Sequence, residues 1–137
     1  MATLVKEIVT SATPEQAWDA IRDIGALHTR LVPGFVVATA LVPGGRRVTF
    51  GNGLQVEEPI IGCDESRRRL AWTSVGEALP FRHYNASAQV VEHERGSRVA
   101  WTVDLLPDEA ADFVWPMMEQ GMAVMKQTLD ALAGRTP

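Results

Sequence analysis

The chain has 137 residues, with 13 Lys and Arg against 17 Asp and Glu and a net charge of −4. This length suits one domain, 1–137, with a core of its own, and the acidic balance leaves no electrostatic footprint for nucleic acid or an anionic membrane surface. Cys63 is alone, which excludes an internal disulfide and fits a reducing compartment, the cytoplasm; no signal-peptide start and no bilayer-length apolar run is seen.

In chain order, residues 3–10 (TLVKEIVT) form a strand candidate carrying Val5 and Ile8. Thr13, Pro14 and Gln16 then make a capping-box start with proline at the first helical position. Ala17, Trp18, Ile21 and Ile24 give this short helix its apolar side, and Gly25 ends it. A second helical piece, 26–31, stops at Val32-Pro33-Gly34. From there the texture changes to β-rich runs at 35–42, 46–51, 54–62, 69–75, 81–92 and 97–105. The breaks between them carry turn residues, among them Pro43-Gly44-Gly45 and the hairpin signal Asn52-Gly53. Regular spacing of this kind predicts an antiparallel meander rather than βαβ units.

The final stretch, 108–133, is an amphipathic helix of about 26 residues and about 39 Å. Val114, Met118, Gly121, Met122, Met125, Leu129 and Leu132 recur at three and four, opposite Glu119, Gln120, Lys126, Gln127 and Asp130. Asp108 suits an N-cap and Gly134 a stop, and Pro116 inside the pattern predicts a kink without a break. Met117, Met118, Met122 and Met125 give the buried face the material of an adaptable binding surface or of a core filler.

The predicted fold is therefore α+β: one strand, two short helices, six more strands and one long C-terminal helix. A single helix covers seven antiparallel strands only if the sheet curls around it, and the space so formed is either filled or hollow. This order resembles the START-like (SRPBCC) helix-grip superfamily, and within it the bacterial polyketide cyclase/dehydrase-like group. The residues that carry the resemblance are Pro14-Glu15-Gln16-Ala17-Trp18, Glu58 with Asp64, Arg69-Leu70-Ala71-Trp72, the run 84–90 and Val99 to Asp104. The resemblance covers nearly the whole chain. It implies a cavity between sheet and helix for an apolar, polyketide- or lipid-like molecule, and the glutamate matching Glu58 lines that cavity in the superfamily's hormone receptors.

Strand alternation says which side chains face the space. In 81–92 the inward set is Tyr84, Ala86, Ala88 and Val90, because His83, Asn85, Ser87 and Gln89 are too polar for a dry core. Arg82 shares the inward parity at the strand end, near a mouth. Val99, Trp101 and Val103 face inward from 97–105, and Leu70, Trp72 and Ser74 from 69–75. In 54–62 the choice of Val56 and Ile60 brings Glu58 inward too. A carboxylate there must be paired, hydrogen-bonded or protonated, and Arg82 or Tyr84 are the expected partners. Glu58 either serves a ligand, in which case Glu58→Gln alters affinity more than stability, or closes a structural salt bridge at the barrel mouth.

From the helix, Val114, Met118 and Met122 complete the expected ligand wall, around a cavity of about 300 Å³ or more. His28 and Arg30 lie beside the entrance, either for an acidic ligand group or as surface side chains. His83 and His93 read as solvated, and no His or Cys pair has metal-ligand spacing, so neither metal nor cofactor is expected. Three functions fit: a binder of an apolar, ring-containing small molecule; a cyclase/dehydrase-type enzyme with Glu58, Tyr84 or Arg82 in acid–base roles; or a protein-interaction module with a filled cavity. The expected partner is a hydrophobic small molecule, with no nucleic acid and no membrane insertion, and the protein acts as a monomer or homodimer.

Overall fold

A computed structural model describes residues 1–134, and the expected domain end at Pro137 lies outside them. Strand β1 (Ala2–Thr10) leads into helix α1 (Pro14–Arg22), then a 3-10 turn (Ile24–Ala26) and a π-helical turn (Leu27–Leu31). Strands β2 (Val36–Val42), β3 (Gly45–Phe50), β4 (Gln55–Asp64), β5 (Arg69–Trp72), β6 (His83–His93) and β7 (Gly96–Leu106) follow, before helix α2 (Ala111–Ala133). All pairings within the sheet are antiparallel, in the order β1-β7-β6-β5-β4-β3-β2. The expected architecture, a curved seven-stranded sheet around one long helix with two short helical pieces after strand 1, is the observed one.

Local chemistry explains where the elements start and stop. The Thr13 hydroxyl accepts from Gln16 N at 3.1 Å, and the Gln16 amide oxygen accepts from Thr13 N at 2.9 Å. This reciprocal capping satisfies two donors at the start of α1. Helix α2 runs through Pro116 and buries Val114, Met118, Gly121, Met122, Met125 and Leu129, the stripe its periodicity predicts. Its start differs from expectation. Residues Asp108–Ala110 form a 3-10 turn, and Ala110 precedes α2 with no side-chain cap. Asp108 is not an N-cap; β1 brings the chain's amino terminus beside it, and its carboxylate pairs with the Met1 amine at 3.1 Å. At the other end Gly134 keeps a right-handed φ of −69°.

The strand expected over 69–75 is shorter because its two neighbours part. After Trp72 the chain leaves the β6 ladder but stays with β4: Val75 N donates to Glu57 O at 2.8 Å and Glu57 N to Val75 O at 2.9 Å. A register shift in β4 between Ile60 and Gly62 accompanies the divergence, as a bulge would. Thr73 keeps a tie to β6 all the same, its hydroxyl donating to Tyr84 O at 2.7 Å.

The C-terminal half of α2 is tied to β1 by Asp130. Its Oδ1 accepts from the Thr10 hydroxyl at 2.6 Å and from Ser11 N at 3.0 Å, and its Oδ2 from Lys126 Nζ at 3.1 Å. Lys126 also donates to Val9 O at 2.6 Å. Partial burial pulls the Asp130 pKa up, but the Thr10, Ser11 and Lys126 hydrogen bonds outweigh it and hold the carboxyl below its ordinary 3.8. A carboxylate with a depressed folded pKa stabilises above its unfolded value and loses that contribution as pH falls through the folded one. Asp130→Asn is therefore expected to cost about 1 kcal/mol at pH 7, a figure kept small by the group's partial exposure. The deficit should shrink below pH 4 in acid-unfolding curves; a deficit that stays constant down to pH 2 would contradict the assignment.

Candidate ligand-binding cavity

Alternation places the inner wall as expected. Val99, Val103 and Leu105 of β7 and Ala86, Ala88 and Val90 of β6 are buried, and so are Leu70 and Trp72 of β5 and Val56 and Glu58 of β4. Between this wall and α2 lies a cavity of about 90 Å³. Of the predicted wall, Val56, Glu58, Trp72, Ser74, Tyr84, Ala88, Trp101, Val114 and Met118 line it.

Three predicted positions do not. Arg82 precedes β6 and is exposed, its backbone N–H donating to Leu106 O at 2.8 Å. Ala86 and Met122 are fully buried but lie in solid core rather than at the cavity surface. The volume also falls below the 300 Å³ expected. Side chains beyond the expected wall account for this: Phe35, Leu54, Leu79 and Phe81 from outside the regular elements, Phe50 from the end of β3 and Met117 from α2 also line the space. Their rings meet in pairs, Phe35 with Phe50 at 5.4 Å and Phe81 with Phe113 at 6.1 Å. Phe113, 41 % exposed, marks where the cavity reaches the surface.

The polar side of the cavity is built around Glu58. Arg46 Nε donates to Glu58 Oε1 at 2.8 Å, and the two side chains are only 4 % and 8 % exposed. Arg46 and Glu58 are directly cross-strand in the β3–β4 register. Gly45 lets these strands close up, since a Cβ there would collide with the Glu58 carbonyl oxygen. The guanidinium also sits 5.6 Å from the Trp72 ring, over its face, and Nη1 reaches Ile24 O at 3.4 Å. Arg46, not Arg82, is thus the ionic partner of Glu58.

Beside this pair lie the Tyr84 phenol and the Ser74 side chain, both lining the cavity. Burial, reinforced by the negative charge of Glu58, pushes the Tyr84 pKa well above the ordinary phenol value and keeps the phenol protonated. Trp101 stands next to Trp72 with ring centroids 6.5 Å apart. Its Cζ3 lies 3.1 Å from the position a Cβ on Gly121 would take, so the absence of that atom lets α2 approach the indole.

The remaining candidates lie elsewhere. Arg30 bridges Asp19 at 2.6 Å and Asp23 at 2.9 Å, and His28 Nδ1 contacts Thr39 Oγ1 at 2.9 Å. Neither lines the cavity. Trp18 Nε1 donates to Glu65 at 2.7 Å, a structural use. Among the described residues no cluster of His, Cys, Asp and Glu could hold a metal ion, and no helix is long and apolar enough to cross a membrane. Sequence reasoning missed Arg46 and the loop and mouth residues Leu27, Leu31, Phe35, Leu79, Phe81 and Phe113.

A curved antiparallel sheet closed over one long C-terminal helix, with an apolar space between them, defines the ligand-binding helix-grip fold. The chain belongs to the polyketide cyclase / dehydrase and lipid transport family, whose model matches residues 1–136. It is similar to a Thermobifida fusca protein at 28% identity and TM-score 0.78, over 98% of this chain and 95% of that one. It is also similar to the Zhui aromatase/cyclase of a Streptomyces species, at 14% identity and TM-score 0.78, over 98% and 94% of the two chains. Norcoclaurine synthase from Thalictrum flavum shares the fold at 21% identity and TM-score 0.67, over 96% and 93%. No curated protein matches the sequence.

Proposed function

We propose that the protein binds a small, apolar, ring-containing molecule, polyketide- or lipid-like, in the cavity between the sheet and α2, and that it does so in the cytoplasm. The observation that carries this reading is the cavity wall itself. Trp72, Trp101, Met118 and Val114 enclose an apolar space, and the few polar groups, Glu58, Arg46, Ser74 and Tyr84, converge on one side of it. Such a composition orients a guest without demanding a charge from it. Family membership supports the same class of ligand.

A cyclase/dehydrase-type reaction in the same cavity is the second reading, and Tyr84 is what favours it. A phenol kept protonated beside Glu58 can donate to a substrate oxygen. Against it, Glu58 is engaged by Arg46, so the wall offers a donor but no free base. Binding is therefore the stronger reading. Native mass spectrometry of the protein purified from its source, followed by solvent extraction, should reveal a co-purifying apolar molecule at near-stoichiometric occupancy. A protein that carries nothing and takes up no ring compound at millimolar concentration would refute the reading.

A further inference from the structure

The cavity continues past a ring that stands across it. Met118 and Met125 both line the space, on one buried stripe of α2 with Gly121 between them. Two turns of helix separate the two methionines, about 10 Å. Over Gly121 lies Phe35. The position a Cβ on Gly121 would take is 3.0 Å from Phe35 Cε2 and 3.1 Å from Trp101 Cζ3. Two rings therefore press on one point of the helix, between the methionines that line the space on either side.

These rings are held differently. Trp101 belongs to β7, which is laddered to β1 and to β6. Phe35 precedes β2, the strand at the edge of the sheet. Both groups of the peptide after Phe35 are bonded, Val36 N donating to Val32 O at 3.0 Å and Gly51 N to Phe35 O at 2.9 Å. The ring thus reaches inward from a pinned backbone, with Phe50 edge-on beside it at 5.4 Å. A phenyl group placed there takes room from any guest, because protein interiors fill their space closely. We propose that Phe35 is the residue that sets the length of the guest. With its ring over Gly121 the cavity takes a single-ring molecule on the Met118 side, and with the ring removed a two-ring molecule extends to Met125. This deepens the binding reading above and rests on it.

Two phenols test the assignment, 4-methylphenol and 4-phenylphenol. They carry the same hydroxyl, so the polar side of the wall meets the same group in each, and they differ by one ring in length. In protein carrying 13C-methyl methionine, both should move the Met118 resonance and leave that of Met125 in place. Phe35→Ala should raise the preference for 4-phenylphenol at least about tenfold and bring Met125 into the response. Phe35→Leu shortens the side chain too, so a poorly folded Ala variant does not end the test. Phe113→Ala removes a ring from the mouth instead and should leave Met125 silent. Three results overturn the divider and leave the cavity reading standing: a Met125 resonance that 4-phenylphenol already moves in the unaltered protein, a preference unchanged by both Phe35 variants, or an equal Met125 response in Phe113→Ala. Failure of both phenols to bind any of these proteins overturns the two readings together.

Discussion

Glu58→Gln should lower the melting temperature by roughly 10–20 °C, the equivalent of about 3–5 kcal/mol, whether or not a ligand is present. The substitution preserves volume and removes one charge, leaving the Arg46 guanidinium in a site where both side chains are less than a tenth exposed. Attraction within a buried pair offsets the desolvation of both ions, so losing one partner leaves the other's penalty uncompensated. Because Arg46 engages the carboxylate, the substitution acts on stability, where the sequence alone points to an effect on affinity. Replacing both residues, as Arg46→Met with Glu58→Leu, should recover most of the loss, because neither variant side chain then carries a charge into the wall. Thermal melts of the two single variants and the double variant decide the matter. A shift below about 3 °C for Glu58→Gln would mean that the pair is solvated in solution.

Met118→Trp should abolish binding of any cavity ligand while changing the melting temperature little. Met118 is fully buried and lines the cavity, so an indole there has space to enter and occupies what a guest would fill. Met122, one turn further along α2, is equally buried but does not line the cavity. Met122→Trp should overpack the core and cost about 1–3 kcal/mol. The same substitution at two neighbouring methionines thus reads the position of the hollow. Equal destabilisation by both would indicate a filled core and favour the protein-interaction reading.

Much of this architecture is legible in the residues. The period of α2 identifies six of its buried positions, and the polarity contrast between Tyr84/Ala86/Ala88 and His83/Asn85/Gln89 sets the inward face of β6. Glu58 is placed inward by its apolar neighbours Val56 and Ile60. Its partner is harder to see. A two-residue turn at Asn52-Gly53 would set Arg47 opposite Glu58 and turn Arg46 outward. Phe50 N instead donates to Leu54 O at 2.8 Å, the loop has an odd number of residues, and the register shifts by one to pair Arg46 with Glu58. A single residue in a turn changes which arginine is buried. The mouth is hidden for another reason. Leu79, Phe81 and Phe35 reach the cavity from outside the regular elements, where no periodicity reports the direction of a side chain. That inward crowding is also why the cavity is smaller than the strand pattern alone implies.

The position of β1 in the sheet bears on how the chain folds. Strands β2 to β7 each pair with the next along the chain, so five hairpins close over short distances. Strand β1 pairs only with β7, Ala2 facing Leu105 and Thr10 facing Ser97. Closing a loop of that size comes late in the search for structure, because its entropy is lost before the contact is gained. During synthesis the first strand to emerge must wait for the last, and α2 cannot be locked down by Asp130 until Thr10 and Ser11 are in place. The half-made molecule is therefore a six-stranded meander with an unpaired β7 edge, held open until its own amino terminus returns to close it.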